Sequence, residues 1–592
     1  MAWRFWRASS RFGNRCKRLP SSEYPCYPSV PGSSHGKLRK SPSTASKGGT
    51  ESIPETTSYP ICYDRVSADN SNSHQVLNAS SNLAIGGVTT SQAEGCCPWI
   101  CRGPGFANSK PGTLKFLSKS MRTFCSVSRS TSHHLDRLHE LPPVLGNRTG
   151  EIVEPDILCT EDGQVLYSGM KSSELLSTLI NLQLVAYEPL VDLSSKVLKS
   201  PLMKFFFYKQ PLLAMVKRTA YSHFCAGENV KEASRTLQRM WELGLKSILD
   251  YSLEDAVDNN SCDSNLKGFL QTIVQSKQLP TGSVSFSCVK MTALCPLPLL
   301  EKISSLLRWK HMHAEFKLPW REDVLPLLVS ESPMYHVRAP PEPLTAEEEH
   351  NLCLAKDRLW RLCGACEDAK LPLLVDAEYT SVQPAIDYYT YVAASEFNRH
   401  ESPLVYSTIQ AYLKDSLPRL SLAANEAGKR GMSFGVKLVR GAYITRESAL
   451  AASLGVESPI HSCIEKTHDC YDRCAAFMME RVASTQGAVV LATHNFDSGR
   501  AAAVKAESLG LLKGKPHLQF AQLKGMADGL SLALVHAGFQ VSKYLPFGPV
   551  EHVMPYLIRR AEENRGLLGN TSADRARIRQ ELRRRFLSHF QF

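Results

Sequence analysis

The chain reads as an α/β protein built on a (βα)₈ barrel, preceded by a helical arm and a disordered leader. Three observations predict this. Eight short apolar or β-rich runs follow Gly244, at 245–251, 283–292, 371–378, 403–410, 434–443, 488–495, 518–525 and 541–546. Helical stretches separate them, and runs buried on both faces with helical crossovers imply parallel strands. Polar residues collect at the C-terminal ends of the runs, the face on which such barrels carry their sites. Eight units between 244 and 592 fit a closed barrel better than an open sheet.

Residues 1–165 are rich in Ser, Pro, Gly, Thr and Asn, and are assigned to targeting sequence and a mostly disordered leader. The opening MAWRFWRASSRFGNRCKRLPSS carries Arg4, Arg7, Arg11, Arg15, Lys17 and Arg18 without an acid, the composition of a mitochondrial or plastid transit peptide. Residues 166–243 form the arm, with helical patterns from Ser172 and again through ENVKEASRTLQRMWELG, which stops at glycine. Within it, Lys196 to Arg218 surrounds Phe205, Phe206 and Phe207 with lysines, as an interfacial segment does. Pro201 and Pro211 break any long helix there, which favours an arm packed on the main domain.

Residues 244–592 hold the barrel and a C-terminal helix. The crossover after the second run is long and includes a Pro-rich patch at 339–344, read as an insertion. Gly548 and Pro549 start the last helix, on which Tyr556, Arg559, Arg560 and Glu563 fall at i, i+3, i+4 and i+7 and so share one stripe. A guanidinium pair suits a carboxylate or phosphate, since the planar fork donates in parallel to two oxygens. The plainer alternative is a solvated face with an Arg559–Glu563 pair worth roughly 0.3 kcal/mol.

Composition excludes several classes. The chain has 592 residues, 43% hydrophobic and 21% charged, ordinary for a globular protein with a large core. Its net charge of +12 sits largely at the two ends, without the interleaved aromatics of a nucleic-acid binder. No run is long and apolar enough to span a bilayer, so membrane contact would be peripheral. The 18 cysteines carry no metal signature: Cys363 and Cys366 form a C-x-x-C inside a helical pattern with no second pair or histidine cluster at zinc spacing.

The predicted rim carries Lys290, Asp376, Glu378, Gln410, Lys437, Arg440, His494, Asn495, Lys524 and Tyr544. Lys290, Lys437, Arg440, Arg559 and Arg560 outnumber Asp376 and Glu563, so the site binds anions. Two barrel chemistries fit: a Schiff base at a strand-end lysine, or an anionic cofactor with a small acidic substrate. No GxGxxG follows a strand, but KLVRGAY offers charge at Arg440, and Gly441 and Ala442 let a planar group approach the backbone.

At VKMTAL, LLVDAEYTSVQ, STIQAYLKD, GVKLVRGAY, ATHN, QLKGM and YLPFGPVEHVMPYLIRRAEEN the chain resembles the proline dehydrogenase family in its monofunctional, mitochondrial, plant-like form, over about residues 170 to 570. The resemblance implies a distorted (βα)₈ TIM-type barrel holding FAD. It implies oxidation of L-proline to Δ1-pyrroline-5-carboxylate in proline catabolism, with electrons passed to a membrane quinone. The location implied is the matrix-side periphery of the mitochondrial inner membrane. Arg559, Arg560 and Lys290 are then expected to bind the substrate carboxylate, with Asp376, Tyr443, Leu523, Tyr544 and Tyr556 shaping the pocket. Ala377, Gln410, Lys437, Val439, Arg440, Gly441, Ala442, Tyr443, His494 and Asn495 fall to the FAD side, with Glu563 holding the arginine helix there. Asp376 and Lys437 are the expected catalytic pair, Lys437 standing where bifunctional bacterial relatives have arginine. Tyr544 should favour proline over hydroxyproline, because relatives that oxidise the latter have a smaller residue there. Two rivals remain at this stage: a Schiff-base barrel enzyme and a catalytically inactive regulatory barrel at the membrane.

Overall fold

The computed structural model describes residues 157–158, 162–187, 206–511, 516–566 and 568–588. The described residues all belong to one unit, residues 140–592. The transit-peptide assignment, Pro201 and Phe205 lie outside them.

Eight strands run parallel and close in sequence order, β8 returning to β1. They are β1 (Lys246–Tyr251), β2 (Val284–Val289), β3 (Leu373–Val375), β4 (Val405–Gln410), β5 (Phe434–Val439), β6 (Gly487–Ala492), β7 (Leu518–Leu523) and β8 (Val541–Phe547). The predicted runs mostly overshoot at their C-terminal ends, because Lys290, Asp376 to Glu378 and Arg440 to Tyr443 leave the sheet to build the rim. One set of side chains, including Ile248, Phe286, Leu374, Tyr406, Val490 and Tyr544, fills the interior. The alternate set, including Val289, Ile409, Val436, Leu438 and Phe520, joins the larger core beneath the helices. Burial of both sets explains the unbroken apolar runs. Gly435 makes room for the interior ring of Tyr406, since a Cβ there would lie 2.8 Å from it.

The helices are α1 (Ser172–Val185), α2 (Phe206–Val216), α3 (Val230–Glu242), α4 (Asn259–Ser276), α5 (Leu297–Met312), α6 (Ala346–Asp368), α7 (Gln383–Phe397), α8 (Ser416–Lys429), α9 (Ile444–Leu454), α10 (Ile464–Ala483), α11 (Phe496–Ser508), α12 (Asp528–His536), α13 (Val550–Gly566) and α14 (Leu568–Ser588). The long crossover between β2 and β3 holds α5, an irregular stretch and α6, which starts on a Thr345–Glu348 capping box. Cys363 and Cys366 are buried on α6, as the helical reading of that C-x-x-C requires.

Distortion of the barrel has a local cause. Ala233 and Leu237 of α3 pack with Leu249, Leu545 and Phe547, covering β1 and β8 where a regular barrel would set the helix that follows β8. Displaced from that position, α13 lies over the mouth and turns Tyr556, Arg559 and Arg560 into it.

The arm packs on α13, as expected, but Pro211 does not break it. It lies inside α2, which continues through a π-helical turn (Lys217–Tyr221) into Ser222–Phe224. Leu213, Val216, Tyr221 and Phe224 form one cluster with Val550, Val553, Tyr556 and Leu557, and that burial offsets the proline penalty of about 3 kcal/mol. The Tyr221 hydroxyl donates to the Gly548 carbonyl at 2.7 Å, tying the arm to the start of α13.

Candidate active site

Asp376 is the centre of the mouth. It follows β3 directly and accepts from Lys290 Nζ at 3.2 Å, from the Tyr544 hydroxyl at 2.9 Å and from Lys437 Nζ. All four are buried. Burial alone would raise the Asp376 pKa, but the Lys437 and Lys290 ammoniums hold it well below the usual carboxylate range. Burial would likewise discharge Lys290, yet Asp250 and Asp376 keep it charged, and Asp376 does the same for Lys437. The sequence reading put Lys437 and Tyr544 at strand ends. Both lie within strands and face the interior, with Lys437 Nζ 5.3 Å from the Tyr544 ring centre.

Above this layer, Arg559 donates to both carboxylate oxygens of Glu254, at 2.7 and 2.9 Å. The i,i+4 pair with Glu563 is not tested, because that side chain lies outside the described residues. Burial would raise the Glu254 pKa, and the Arg559 hydrogen bonds lower it. The Arg559 guanidinium is also 5.5 Å from the Tyr443 ring centre and that of Arg560 5.2 Å from Tyr556, so aromatic faces frame both arginines.

A second positive centre lies beyond β5. Arg440 donates through Nε to His468 at 2.9 Å, through Nη1 to Thr493 at 2.6 Å and through Nη2 to Ser498 at 2.7 Å. All three partners are uncharged, so the guanidinium keeps its full charge beside the N-terminus of α11, where helical N–H groups also favour an anion. Asn495 is the N-cap of that helix, accepting from Ser498 N at 2.8 Å. His494 accepts from Leu523 N–H at 3.0 Å, and burial lowers its pKa to about 3, so the ring is neutral. Gln410 bridges the Glu378 carbonyl and Ala442 N. Gly441, at φ 143°, makes room for the Tyr412 ring, which a Cβ would meet at 2.4 Å, and that contact by itself favours glycine.

An open cleft joins these layers. Every described residue given a catalytic, substrate or cofactor role from sequence lines it, Glu563 lying outside the described side chains, whereas Glu378 of the predicted rim does not. Lys524 leaves the rim, donating to the Ser222 and His223 carbonyls. Sequence reasoning missed Glu254, Asp250, Thr408, His468 and Thr493. Applying the strand-end rule to β1, whose following loop reads SLEDA, would have found Glu254. His468 sits on α10 and has no such signal.

Lys290, Arg559 and Arg560 around an aromatic-walled mouth, with Arg440 at a helix N-terminus beside it, make a cationic cleft at the end of a parallel barrel where barrel enzymes carry their sites. The proline dehydrogenase family model matches residues 233–573. Proline dehydrogenase 2, mitochondrial, of Arabidopsis thaliana is 46% identical over 439 residues, covering 74% of this chain and 92% of that protein. Hydroxyproline dehydrogenase of Bos taurus is 34% identical over 437 residues, covering 70% and 90%. Among solved structures, proline utilization A from Bdellovibrio bacteriovorus, inactivated by N-propargylglycine, is similar at a TM-score of 0.48 and 20% identity, over 68% of this chain and 38% of that one. The chain belongs to the proline dehydrogenase family and is an oxidoreductase acting on proline.

Proposed function

We propose that the chain oxidises L-proline to Δ1-pyrroline-5-carboxylate with FAD as cofactor and a membrane quinone as final acceptor, at the matrix face of the mitochondrial inner membrane. The observation that carries this is the stacking of Arg559 and Arg560 above the Lys290–Asp376–Lys437 layer. It leaves a cationic seat for a carboxylate over a buried, aromatic-walled floor. The relatives in Arabidopsis thaliana are named mitochondrial. The same reading divides the chain into a leader (1–165), an arm (166–243) and the catalytic barrel (244–592).

The cleft fits FAD on one feature of its own. Arg440, bonded only to neutral groups at the start of α11, is a seat for an anionic phosphate. Residues Gln410, Val439, Gly441, Ala442, His494 and Asn495 line the cleft around it and would hold the rest of the cofactor. When bound, FAD supplies the acceptor for the hydride that leaves the ring carbon beside nitrogen.

The protein's own groups do the remainder. Arg559 and Arg560 draw the substrate carboxylate under α13, and the incoming carboxylate competes with Glu254 for the Arg559 fork. Tyr443, Leu523, Tyr544 and Tyr556 wall the ring and exclude water. Loss of hydride and of the nitrogen proton creates the C=N bond, with cationic character on the way. The ionised Asp376 is placed to stabilise that charge, and its low pKa makes it a poor proton acceptor. Lys437 then acts as a fixed positive charge.

Against a Schiff-base enzyme, Lys290 and Lys437 are both held protonated by carboxylates, whereas a nucleophilic lysine needs a lowered pKa. The test is a visible spectrum of the purified chain before and after anaerobic L-proline. Bleaching of a flavin band is expected, and a colourless chain, or one unchanged by proline, refutes the reading.

A further inference from the structure

One helical face outside the cleft has no role in this chemistry. On α1, Leu176, Ile180 and Leu184 recur at i, i+4 and i+8 and are 50%, 50% and 40% exposed, with Tyr187 just beyond them at 60%. The opposite side of α1 is satisfied, because Leu175 and Leu182 are buried in the main core with Ile578 of α14. Between Ser172 and Tyr187 the only ionisable side chain before the tyrosine is Glu174, and it is bonded to Arg239. The outward row is therefore apolar and free of charge over several turns.

The neighbouring helix supplies the opposite character. Within α14 stand Arg575, Arg577, Arg579, Arg583, Arg584 and Arg585, against Asp574 and Glu581. Glu581 is buried and bonded to Arg584 and Arg585. Arg579 and Arg583 are exposed. Arg579 donates to Gln183 at 2.8 Å, and Arg585 to the Met170 carbonyl and Tyr167 carbonyl, so α14 runs antiparallel to α1. That direction sets the row of arginines alongside the apolar row. It also brings Phe586 and Leu587, 63% and 62% exposed, toward the start of α1.

We propose that the paired outer faces of α1 and α14 dock on an anionic lipid surface, the apolar row entering the headgroup boundary and Arg579 and Arg583 meeting lipid phosphates. The proposal rests on the quinone reading above and assigns it a surface. Apolar side chains flanked by arginines, with no exposed acid among the described residues of either helix, are the pattern of an interfacial helix. A second copy of this chain is the poorer occupant, because a two-fold contact through this face sets arginines against arginines with no exposed acid among the described residues of either helix to balance them. The basic segment singled out in the sequence, Lys196 to Arg218, fits less well where it is described: Leu213 and Val216 are already buried against α13.

The experiment is co-sedimentation of the full-length chain with vesicles of phosphatidylcholine containing phosphatidylserine, and with pure phosphatidylcholine. Binding to the anionic vesicles only, weakened by salt, is expected. Leu176→Ser/Ile180→Ser/Leu184→Ser should bind at least about tenfold more weakly. Arg579→Gln/Arg583→Gln should bind about thirtyfold more weakly with a shallower salt dependence. Proline oxidation with a soluble dye acceptor, measured on the same samples, should be unchanged in both. Parent that ignores anionic vesicles, or variants that bind as the parent does, overturn the proposal. So does a parent dimer, seen by light scattering, that both variants abolish. Proline-dependent flavin bleaching in solution separates the two readings: it tests the cleft and is independent of the surface.

Discussion

Replacing Asp376 with asparagine removes the carboxylate that Lys290, Lys437 and Tyr544 share, while keeping shape and one acceptor oxygen. Side-chain exposures of 10%, 7% and 11% for Lys290, Lys437 and Asp376 put the whole group beyond solvent rescue. Removing one partner of a buried pair costs about 3–5 kcal/mol, because the other charge stays behind unpaired. Asp250 also attracts Lys290, which moderates the loss on that side. We expect Asp376→Asn to lose about 3–4 kcal/mol at neutral pH, read as a drop in the urea midpoint by tryptophan fluorescence. Adding Lys437→Met removes the stranded ammonium, so the double variant should recover about 1–2 kcal/mol. The pH dependence has a definite sign. A carboxylate held below its usual pKa contributes stability that is complete above about pH 4 and fades as pH falls through the folded value, so the variant should lack that acid-side slope. A loss below about 1 kcal/mol with no recovery in the double variant would refute the shared-carboxylate account.

Arg559→Ala and Arg560→Ala should each weaken proline binding by about 1.5–3 kcal/mol, seen as a rise in KM of roughly ten- to hundredfold with flavin retained. Unchanged KM in both removes them from the carboxylate seat. Tyr544→Ser should narrow the preference for proline over hydroxyproline, and a constant ratio of kcat/KM for the two substrates counts against Tyr544 as the gate. Lys437→Met should lower the flavin potential by about 30 mV for each ~1.4 kcal/mol of lost stabilisation, with Asp376 damping the change; spectroelectrochemical titration at the parent potential contradicts this. Glu378, buried and raised from 4.5 to about 8, is neutral in the fold at pH 7. Its raised pKa makes stability fall as pH climbs from 4.5 to about 8, and Glu378→Gln should flatten urea midpoints across that window.

What could be read from the sequence follows from how each feature is encoded. Strands were legible because both of their faces are buried, as at Val436 and Leu438 outside and Tyr406 and Val490 inside, leaving unbroken apolar runs. Lys290, Asp376 and Gln410 were legible because they close strands whose ends are known from the same runs. Depth along a strand was not: Lys437 is fourth of six residues, and only the register with its neighbours sets its height in the barrel. Partners remote in sequence were hidden as well. Arg559 finds Glu254 at a separation of 305 residues, and no local pattern links the two. Pro211 misled because a breaker rule weighs local geometry alone, while the burial of Leu213 and Val216 is tertiary.

The clasp between Tyr221 and Gly548 spans 327 residues, and its length gives the enzyme an order of assembly. The arm leaves the ribosome first, yet the surface it covers, Val553, Tyr556 and Leu557, belongs to one of the last helices to be made. Closing so distant a contact is slow and comes after the strands between have paired. The proposed substrate seat is therefore completed at the end of folding, because a chain cut short after β8 lacks the two arginines. Competence on this reading waits on α13, which brings Arg559 and Arg560 to the mouth.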